Sequence, residues 1–98
     1  PDIRNTGVAS IAYKAINYGF NVDIFDPHVD PKEAKHFYNL EILKRIEKTK
    51  KYSAIIVAVQ HHEFKNITEQ EWLNLVNDKY VIYDLKGIVP RNLKVIRP

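Results

Sequence analysis

The sequence predicts an α/β domain with a largely parallel sheet. Along the 98 residues, apolar side chains alternate between helical spacing and strand-like runs. The continuous apolar run at residues 53–59 is typical of a strand that is covered on both faces, as strands of parallel sheets are. Hydrophobic residues make up 45% of the chain, which is enough for the core of one small domain. The whole chain, 1–98, is therefore predicted to form a single domain.

The first helix is predicted over residues 6–18, where apolar residues recur at helical spacing. Gly19 ends it, because glycine readily adopts the left-handed conformation at a helix end. Residues 22–25 are predicted to form the first strand. The strand ends at Asp26-Pro27, since proline cannot donate a hydrogen bond to a sheet.

The second helix is predicted over residues 31–38. Asp30 provides a side-chain cap, and Pro31 fits the first helical turn because its fixed φ angle is already helical. A short strand is expected next at 40–43, and residues 43–50 are predicted to be helical.

Thr68 and Glu71 have the spacing of a capping box and predict a further helix. The buried side of this helix carries Trp72, Leu73, Leu75 and Val76. We interpret Trp72 as a core anchor. Strands are expected at 80–83 and, at an edge, at 93–96. Helices that alternate with parallel strands in this way pack on both faces of a sheet, so we expect a three-layer α/β/α, Rossmann-like architecture.

Composition excludes several classes of site. The absence of cysteine excludes disulfides, thiolate metal sites and a cysteine nucleophile within this chain. No stretch approaches the roughly 20 apolar residues of a membrane helix, and no leader sequence is visible. We therefore expect a cytoplasmic protein without a membrane partner. The chain begins at Pro1 rather than at methionine, so we expect a fragment of a larger protein.

The net charge of +3 comes largely from one basic run. Its members are Lys44, Arg45, Lys48, Lys50 and Lys51. The run is interpreted as the solvated face of a helix. Nucleic-acid binding is the alternative, but no aromatic residues interleave the run and no known binding motif surrounds it, so no nucleic-acid partner is expected.

Three predicted strands are followed by polar clusters, at 26–28, 60–62 and 84–87. The carboxyl ends of parallel strands share one edge of a sheet, and open α/β sheets bind ligands at that edge. Imidazoles and a lysine there favour an anionic or polyhydroxylated ligand. Each cluster can also be read as a plain turn or surface loop. His61 and His62 are adjacent and point apart, which makes a poor chelate, so no metal site is expected.

Other catalytic motifs are absent from the sequence. It contains neither G-x-G-x-x-G nor G-x-x-x-x-G-K-S/T, so neither dinucleotide binding nor a P-loop is indicated. It also lacks the G-x-S-x-G nucleophile elbow. Composition, periodicity and position thus lead to an α/β domain with a polar edge.

Four segments, read in order, resemble the UDP-glucose/GDP-mannose dehydrogenase family. They are residues 1–6 (P-D-x-R-N-S/T), 25–30 (Y/F-D-P-x-V/A-D), 58–64 (A-V-x-H-x-x-F) and 84–87 (D-x-K/R-G/N). Their order and spacing agree with the family over nearly the whole chain. The second pair of segments looks most like the branch that oxidises UDP-N-acetylhexosamines to uronic acids for bacterial surface polysaccharides, such as capsule or O-antigen.

The resemblance implies the C-terminal, UDP-sugar-binding domain of an NAD-dependent nucleotide-sugar 6-dehydrogenase. In this family an N-terminal domain binds NAD, a central helical region mediates homodimerisation, and the catalytic cysteine, lysine and aspartate lie upstream. No catalytic residue is therefore expected in this chain, and the isolated chain is expected to be inactive. The implied partners are a UDP-sugar, the rest of the dehydrogenase chain and a second subunit.

The resemblance also assigns site residues. Arg4 matches an arginine that reaches toward the NAD side of the interdomain cleft. Lys86 stands where many members have an arginine that contacts the substrate; lysine keeps the charge but loses the two-pronged donor geometry. His61, Asp84 and Gly87 match further positions of the substrate-binding turns, and Asp84 is expected to organise its turn through local hydrogen bonds.

A free-standing α/β module that binds an anion or nucleotide without catalysis is the alternative interpretation. Receiver domains also carry an aspartate and a lysine at strand ends. They require an acidic pair after the first strand to hold a metal ion, whereas here Asp26 stands alone and is followed by proline.

Overall fold

The computed structural model describes residues 7–47 and 49–98. Within them, the structure contains four helices and four strands. In order they are α1 (Val8–Asn17), β1 (Ile24–Phe25), α2 (Pro31–Tyr38), β2 (Ile42–Leu43), β3 (Tyr52–Val57), α3 (His62–Lys65), α4 (Glu69–Asn74) and β4 (Val76–Asp84). Mixed helices and parallel strand pairs agree with the predicted α/β class. The chain divides into two units, Pro1–Ile46 and Glu47–Pro98, and each is described by itself; the expectation of a single domain stays a prediction.

Helix α1 ends as its sequence predicts. Gly19 has a φ angle of 92°. Its N–H donates to the carbonyl of Ile16 at 2.9 Å, and the N–H of Phe20 donates to the carbonyl of Ala15 at 3.1 Å. These two bonds form a Schellman cap, in which the left-handed residue turns the chain out of the helix and satisfies its last carbonyls. The predicted helix start at residue 6 lies outside the described residues.

The predicted cap of α2 is also confirmed. The carboxylate of Asp30 accepts the N–H of Lys32 at 2.9 Å, and Pro31 is the first helical residue. Beyond this helix, β2 pairs with β1 in parallel, so both predicted strands are present but shorter than expected. The core of this first unit consists of Ala9, Ala12, Val29, Ala34, Leu40 and Ile42.

The predicted helix over residues 43–50 is wrong. Leu43 belongs to β2, and the described residues that follow it, 44–47 and 49–50, are bends, turns or irregular. This segment offers little apolar surface for a helix to bury, and Lys44 is held instead by tertiary contacts. Its ammonium donates to the carbonyls of Pro27 and Val29, at 2.6 and 3.2 Å. The solvated-helix interpretation of the basic run fails with the helix.

The second unit is built on the parallel pair β3 and β4. The register runs from Tyr52 opposite Val76 to Val57 opposite Asp84, with an irregularity near the start. The predicted strands at 53–59 and 80–83 are therefore present and parallel, and β4 begins earlier than predicted. Only a single parallel bridge, from Ile96 to Tyr83, represents the predicted edge strand at 93–96.

One face of this sheet is exposed, contrary to the expectation that the apolar run is covered on both faces. On the exposed face, Ile56 lies beside Tyr83, and these side chains are 50% and 38% exposed. On the other face, Val57 and Ile82 are buried. The run is apolar at both alternating sets of positions, so its sequence does not reveal that one set remains exposed in this chain.

Helix α4 begins with the predicted capping box. The hydroxyl of Thr68 accepts the N–H of Glu71 at 3.1 Å, and the carboxylate of Glu71 accepts the N–H of Thr68 at 2.9 Å. Trp72 is 4% exposed, which confirms it as a core anchor, and its indole N–H is buried without a hydrogen-bond partner among the described residues. Leu75 is buried, but Leu73 is exposed, and Val76 is buried as part of β4 rather than of the helix.

Candidate functional site

The candidate site is the edge of the second-unit sheet where β3 and β4 end. Val57 and Asp84 form the last pair of the register, and the N–H of Leu85 donates to the carbonyl of Val57 at 3.0 Å. The turns that follow the two strands therefore start side by side, as predicted for the clusters at 60–62 and 84–87. The third cluster, at 26–28, belongs to the first unit, so its place at this edge stays a prediction.

Asp84 holds the turn after β4 from the inside. It is 1% exposed. One carboxylate oxygen, Oδ1, accepts the N–H groups of Lys86 and Gly87, at 3.2 and 2.9 Å. The other, Oδ2, accepts the N–H of Val89 at 2.9 Å. Three charge-assisted hydrogen bonds to one buried carboxylate fix the backbone of the turn, which is the organising role expected of Asp84.

Arg97 completes this cluster from beyond the Ile96 bridge. Its Nε lies 3.7 Å from Oδ2 of Asp84, and its Nη2 donates to the carbonyl of Val89 at 2.8 Å. The Asp84 side chain is fully buried, whereas that of Arg97 is 29% exposed. A positive counter-charge is what a buried carboxylate needs, because an unpaired buried charge is strongly unfavourable. The sequence motifs did not single out Arg97.

Gly87 is required at its position by backbone conformation. Its φ angle is 71°, in the left-handed region that glycine adopts without penalty. An added Cβ would meet no atom within 4 Å, so crowding plays no part. The left-handed residue closes the turn and keeps the preceding Lys86 at its exposed corner.

Lys86 combines a fixed backbone with a free cation. Its N–H is bound by Asp84. Its side chain is exposed, and its ammonium makes no hydrogen bond or ion pair with the part of the chain that the structure describes. A cation that is held at its base and unpaired at its tip is suited to an anionic ligand.

The adjacent histidines contact different neighbours. His61 precedes α3, and its ring lies against the ring of Phe64 with 5.4 Å between the centroids. His62 turns its Nε2 toward Nδ2 of Asn66, at 3.1 Å. The two rings thus diverge, as predicted. Over residues 7–47 and 49–98, no group of three His, Cys, Asp or Glu side chains could hold a metal ion.

The remaining assigned residues belong to the first unit. In the 26–28 turn, Oδ1 of Asp26 accepts the N–H of His28 at 2.8 Å, and the bonds from Lys44 hold the backbone on either side of that residue. Arg4, assigned to the NAD side, lies outside the described residues.

None of the described helices is both long enough and apolar enough to cross a membrane.

The model of the UDP binding domain of the UDP-glucose/GDP-mannose dehydrogenase family matches residues 1–91, and the chain belongs to this family. The family that the four sequence segments resemble is thereby confirmed.

The chain is also similar in sequence to individual members of the family. The chain is 38% identical over 97 residues to a UDP-N-acetyl-D-glucosamine 6-dehydrogenase of Salmonella typhi, and 35% identical over 97 residues to one of Pseudomonas aeruginosa. It is also 35% identical over 89 residues to Protein CapL of Staphylococcus aureus. These alignments cover 99%, 99% and 91% of this chain but only 23%, 23% and 20% of the relatives. The chain thus spans less than a quarter of their length. No solved structure matches it.

Proposed function

We propose that this chain is the C-terminal, UDP-sugar-binding domain of an NAD-dependent nucleotide-sugar 6-dehydrogenase. The observation that carries the proposal is Lys86, an exposed cation that has no partner among residues 7–47 and 49–98. It stands on a turn that Asp84 fixes at the carboxyl edge of a parallel sheet. This turn lies within the segment that matches a UDP binding domain. The substrate is a UDP-N-acetylhexosamine or UDP-glucose, and the product is the uronic acid used for capsule or O-antigen polysaccharide.

The proposal includes the setting of the domain. The complete domain has the three-layer α/β/α, Rossmann-like arrangement that the sequence predicts. The complete enzyme is located in the cytoplasm, and it is a homodimer, as the family resemblance implies. Two of the relatives described above are 6-dehydrogenases of a UDP-N-acetylhexosamine, which supports this class of substrate.

Each assigned residue has a distinct part in binding. The ammonium of Lys86 supplies positive charge to the diphosphate of the ligand, as a compact point charge rather than a planar fork. Asp84 and Gly87 act through the shape of the turn, because the carboxylate is buried and bound to the turn's own backbone. His61 lies at the neighbouring turn and is partly exposed.

NAD supplies the hydride acceptor of the proposed reaction, and the resemblance assigns its binding mainly to a domain outside this chain. None of the residues that the structure describes is given a step in the oxidation. Their contribution is binding energy from the nucleotide end of the substrate. Such remote binding energy orients the reacting C6 group and lowers the entropic cost of reaching the transition state.

The test is the substitution Lys86→Ala in the complete polypeptide, titrated with UDP by calorimetry. A charge-assisted hydrogen bond contributes roughly 1.5–3 kcal/mol, so UDP binding is expected to weaken about ten- to a hundredfold. NAD affinity is expected to stay unchanged. Lys79→Ala is the matched control, because Lys79 is an exposed lysine of the same unit.

A change of less than twofold in UDP affinity on Lys86→Ala would remove the assigned role. Oxidation is tested separately, by following NADH formation from UDP-sugars. A complete polypeptide that binds UDP through Lys86 but forms no NADH with any UDP-sugar would instead support the alternative, a nucleotide-binding module without catalysis.

A further inference from the structure

We infer that Arg97 is a positioning residue for the turn at residues 84–89, which carries Lys86. We further infer that Arg97 affects binding of the UDP end of the ligand only through that turn. This inference rests on the proposed function of Lys86. It assigns a binding role to a residue that stands outside the family motifs and beyond the residues matched by the family model.

The first step of the argument is the bond pattern of Val89, which is 3% exposed. Its N–H donates to Oδ2 of Asp84 at 2.9 Å, and its carbonyl accepts from Nη2 of Arg97 at 2.8 Å. Both backbone polar groups of this buried residue are therefore bound by side chains of one cluster, Asp84 and Arg97. Without Arg97 the carbonyl loses its bond, and a buried acceptor left unsatisfied is costly.

The second step is charge. The carboxylate of Asp84 is fully buried, and Nε of Arg97 lies 3.7 Å from its Oδ2. If Arg97 is removed, the buried carboxylate loses its counter-charge. Opening of the turn then becomes more favourable, because it exposes the carboxylate to water. The N–H groups of Lys86 and Gly87 bind the other oxygen of the same carboxylate, so they are released when it moves.

The third step is geometry. One planar guanidinium reaches both the carboxylate and the Val89 carbonyl, through Nε and Nη2. A lysine carries the charge on a single nitrogen and lacks this rigid fork. Arg97→Lys is therefore expected to restore the charge but not both contacts. Arg97→Met removes both charge and contacts while keeping the length of the side chain.

The experiment uses the complete polypeptide with UDP as the probe and hydrogen exchange as an independent readout. In Arg97→Met, the amides of the 84–89 turn are expected to exchange at least about tenfold faster, and UDP binding to weaken about three- to tenfold. Arg97→Lys is expected to fall between Arg97→Met and the parent. Arg91→Met is the matched control, because Arg91 is an exposed arginine of the same unit, and it is expected to change neither readout.

The decisive measurement is the double variant Lys86→Ala with Arg97→Met. If Arg97 acts only through Lys86, the double variant binds UDP as Lys86→Ala does, whereas independent effects would multiply. In steady-state kinetics, Arg97→Met is expected to raise KM for the UDP-sugar and leave kcat and KM for NAD unchanged. A loss of folded protein would lower the apparent kcat instead. If Arg97→Met does not fold, Arg97→Lys provides the same comparison.

The two proposals fail in different ways. If Lys86→Ala leaves UDP affinity unchanged, the proposed function fails and the inference fails with it. If Lys86→Ala weakens UDP binding but Arg97→Met leaves it within twofold, or the two effects multiply, only the inference fails. Unchanged amide exchange in the 84–89 turn of Arg97→Met would also overturn the inference, whatever the binding data show.

Discussion

Two turns of this molecule, at residues 26–28 and 84–89, have similar hydrogen-bonding groups but differ in the burial of their aspartates. In each, an aspartate at the end of a strand binds the N–H two residues later: Asp26 binds that of His28, and Asp84 binds that of Lys86. In each, a cation from a distant segment donates to a backbone carbonyl: Lys44 to Pro27 and Val29, and Arg97 to Val89. Asp26 is partly exposed, whereas Asp84 is buried.

The difference shows that a local sequence signal does not determine the energetic weight of a turn. Around Asp26, water can replace a lost hydrogen bond, so each bond contributes a net of about 0.5–1.5 kcal/mol. Around Asp84, the carboxylate and the N–H of Val89 are shielded from water, so a lost partner leaves them desolvated. The choice of cation fits this contrast, since arginine is the less strongly hydrated partner and suits buried ion pairs.

Asp84→Ala is expected to have the largest effect on stability. It leaves three backbone N–H groups without their acceptor and Arg97 without its counter-charge. Breaking a buried pair in this way costs about 3–5 kcal/mol. Urea denaturation followed by circular dichroism measures the loss, with Asp78→Ala, at an exposed aspartate of β4, as the control. A loss below about 1 kcal/mol would show that the buried cluster is no stronger than a surface turn.

Asp26→Ala is expected to cost less, about 0.5–1.5 kcal/mol, because water can take over the N–H of His28. The same denaturation experiment on the complete polypeptide gives the value. The comparison between the turns depends on the gap between the two alanine variants. If Asp26→Ala is as damaging as Asp84→Ala, burial does not separate the turns and the contrast drawn above is wrong.

Lys44→Met is expected to have the smallest effect, below about 1 kcal/mol, since the carbonyl of Pro27 lies at an exposed site where water can bind. Lys32→Met is the control, because Lys32 is another exposed lysine of the first unit. Thermal unfolding of both variants provides the comparison. A decrease in the free energy of unfolding above about 2 kcal/mol would show that Lys44 contributes to stability to an extent comparable with Arg97.

The parts of the fold that could be predicted are those set by neighbours in sequence. The Gly19 end of α1, the Asp30 cap of α2 and the Thr68 capping box all depend on contacts within a few residues, and all three are present. The helix expected over residues 43–50 is not formed by the described residues of that segment, 43–47 and 49–50. In this segment Lys44 binds the turn after β1, and no local sequence pattern contains that contact.

The residues of the candidate site also differ in whether the sequence alone reveals them. The turn with Lys86 and Gly87 was found through its resemblance to a family motif, and the bonds of Asp84 within it are local. Arg97 was missed because it reaches the turn across the Ile96 bridge and carries no motif of its own. The exposed face of the β3 and β4 sheet was missed because both faces of that run are apolar in sequence.

The buried position of Trp72 gives the molecule an optical label. The chain has one tryptophan among its 98 residues, and it is buried in the unit that also carries Lys86 and Arg97. An indole in an apolar core emits at shorter wavelength than one in water, so its emission shifts to the red when that unit opens. Light absorbed selectively by the indole therefore records the melting of Glu47–Pro98 alone. In the isolated chain, the tryptophan emission follows the unit that contains Lys86, whereas circular dichroism follows the backbone of both units.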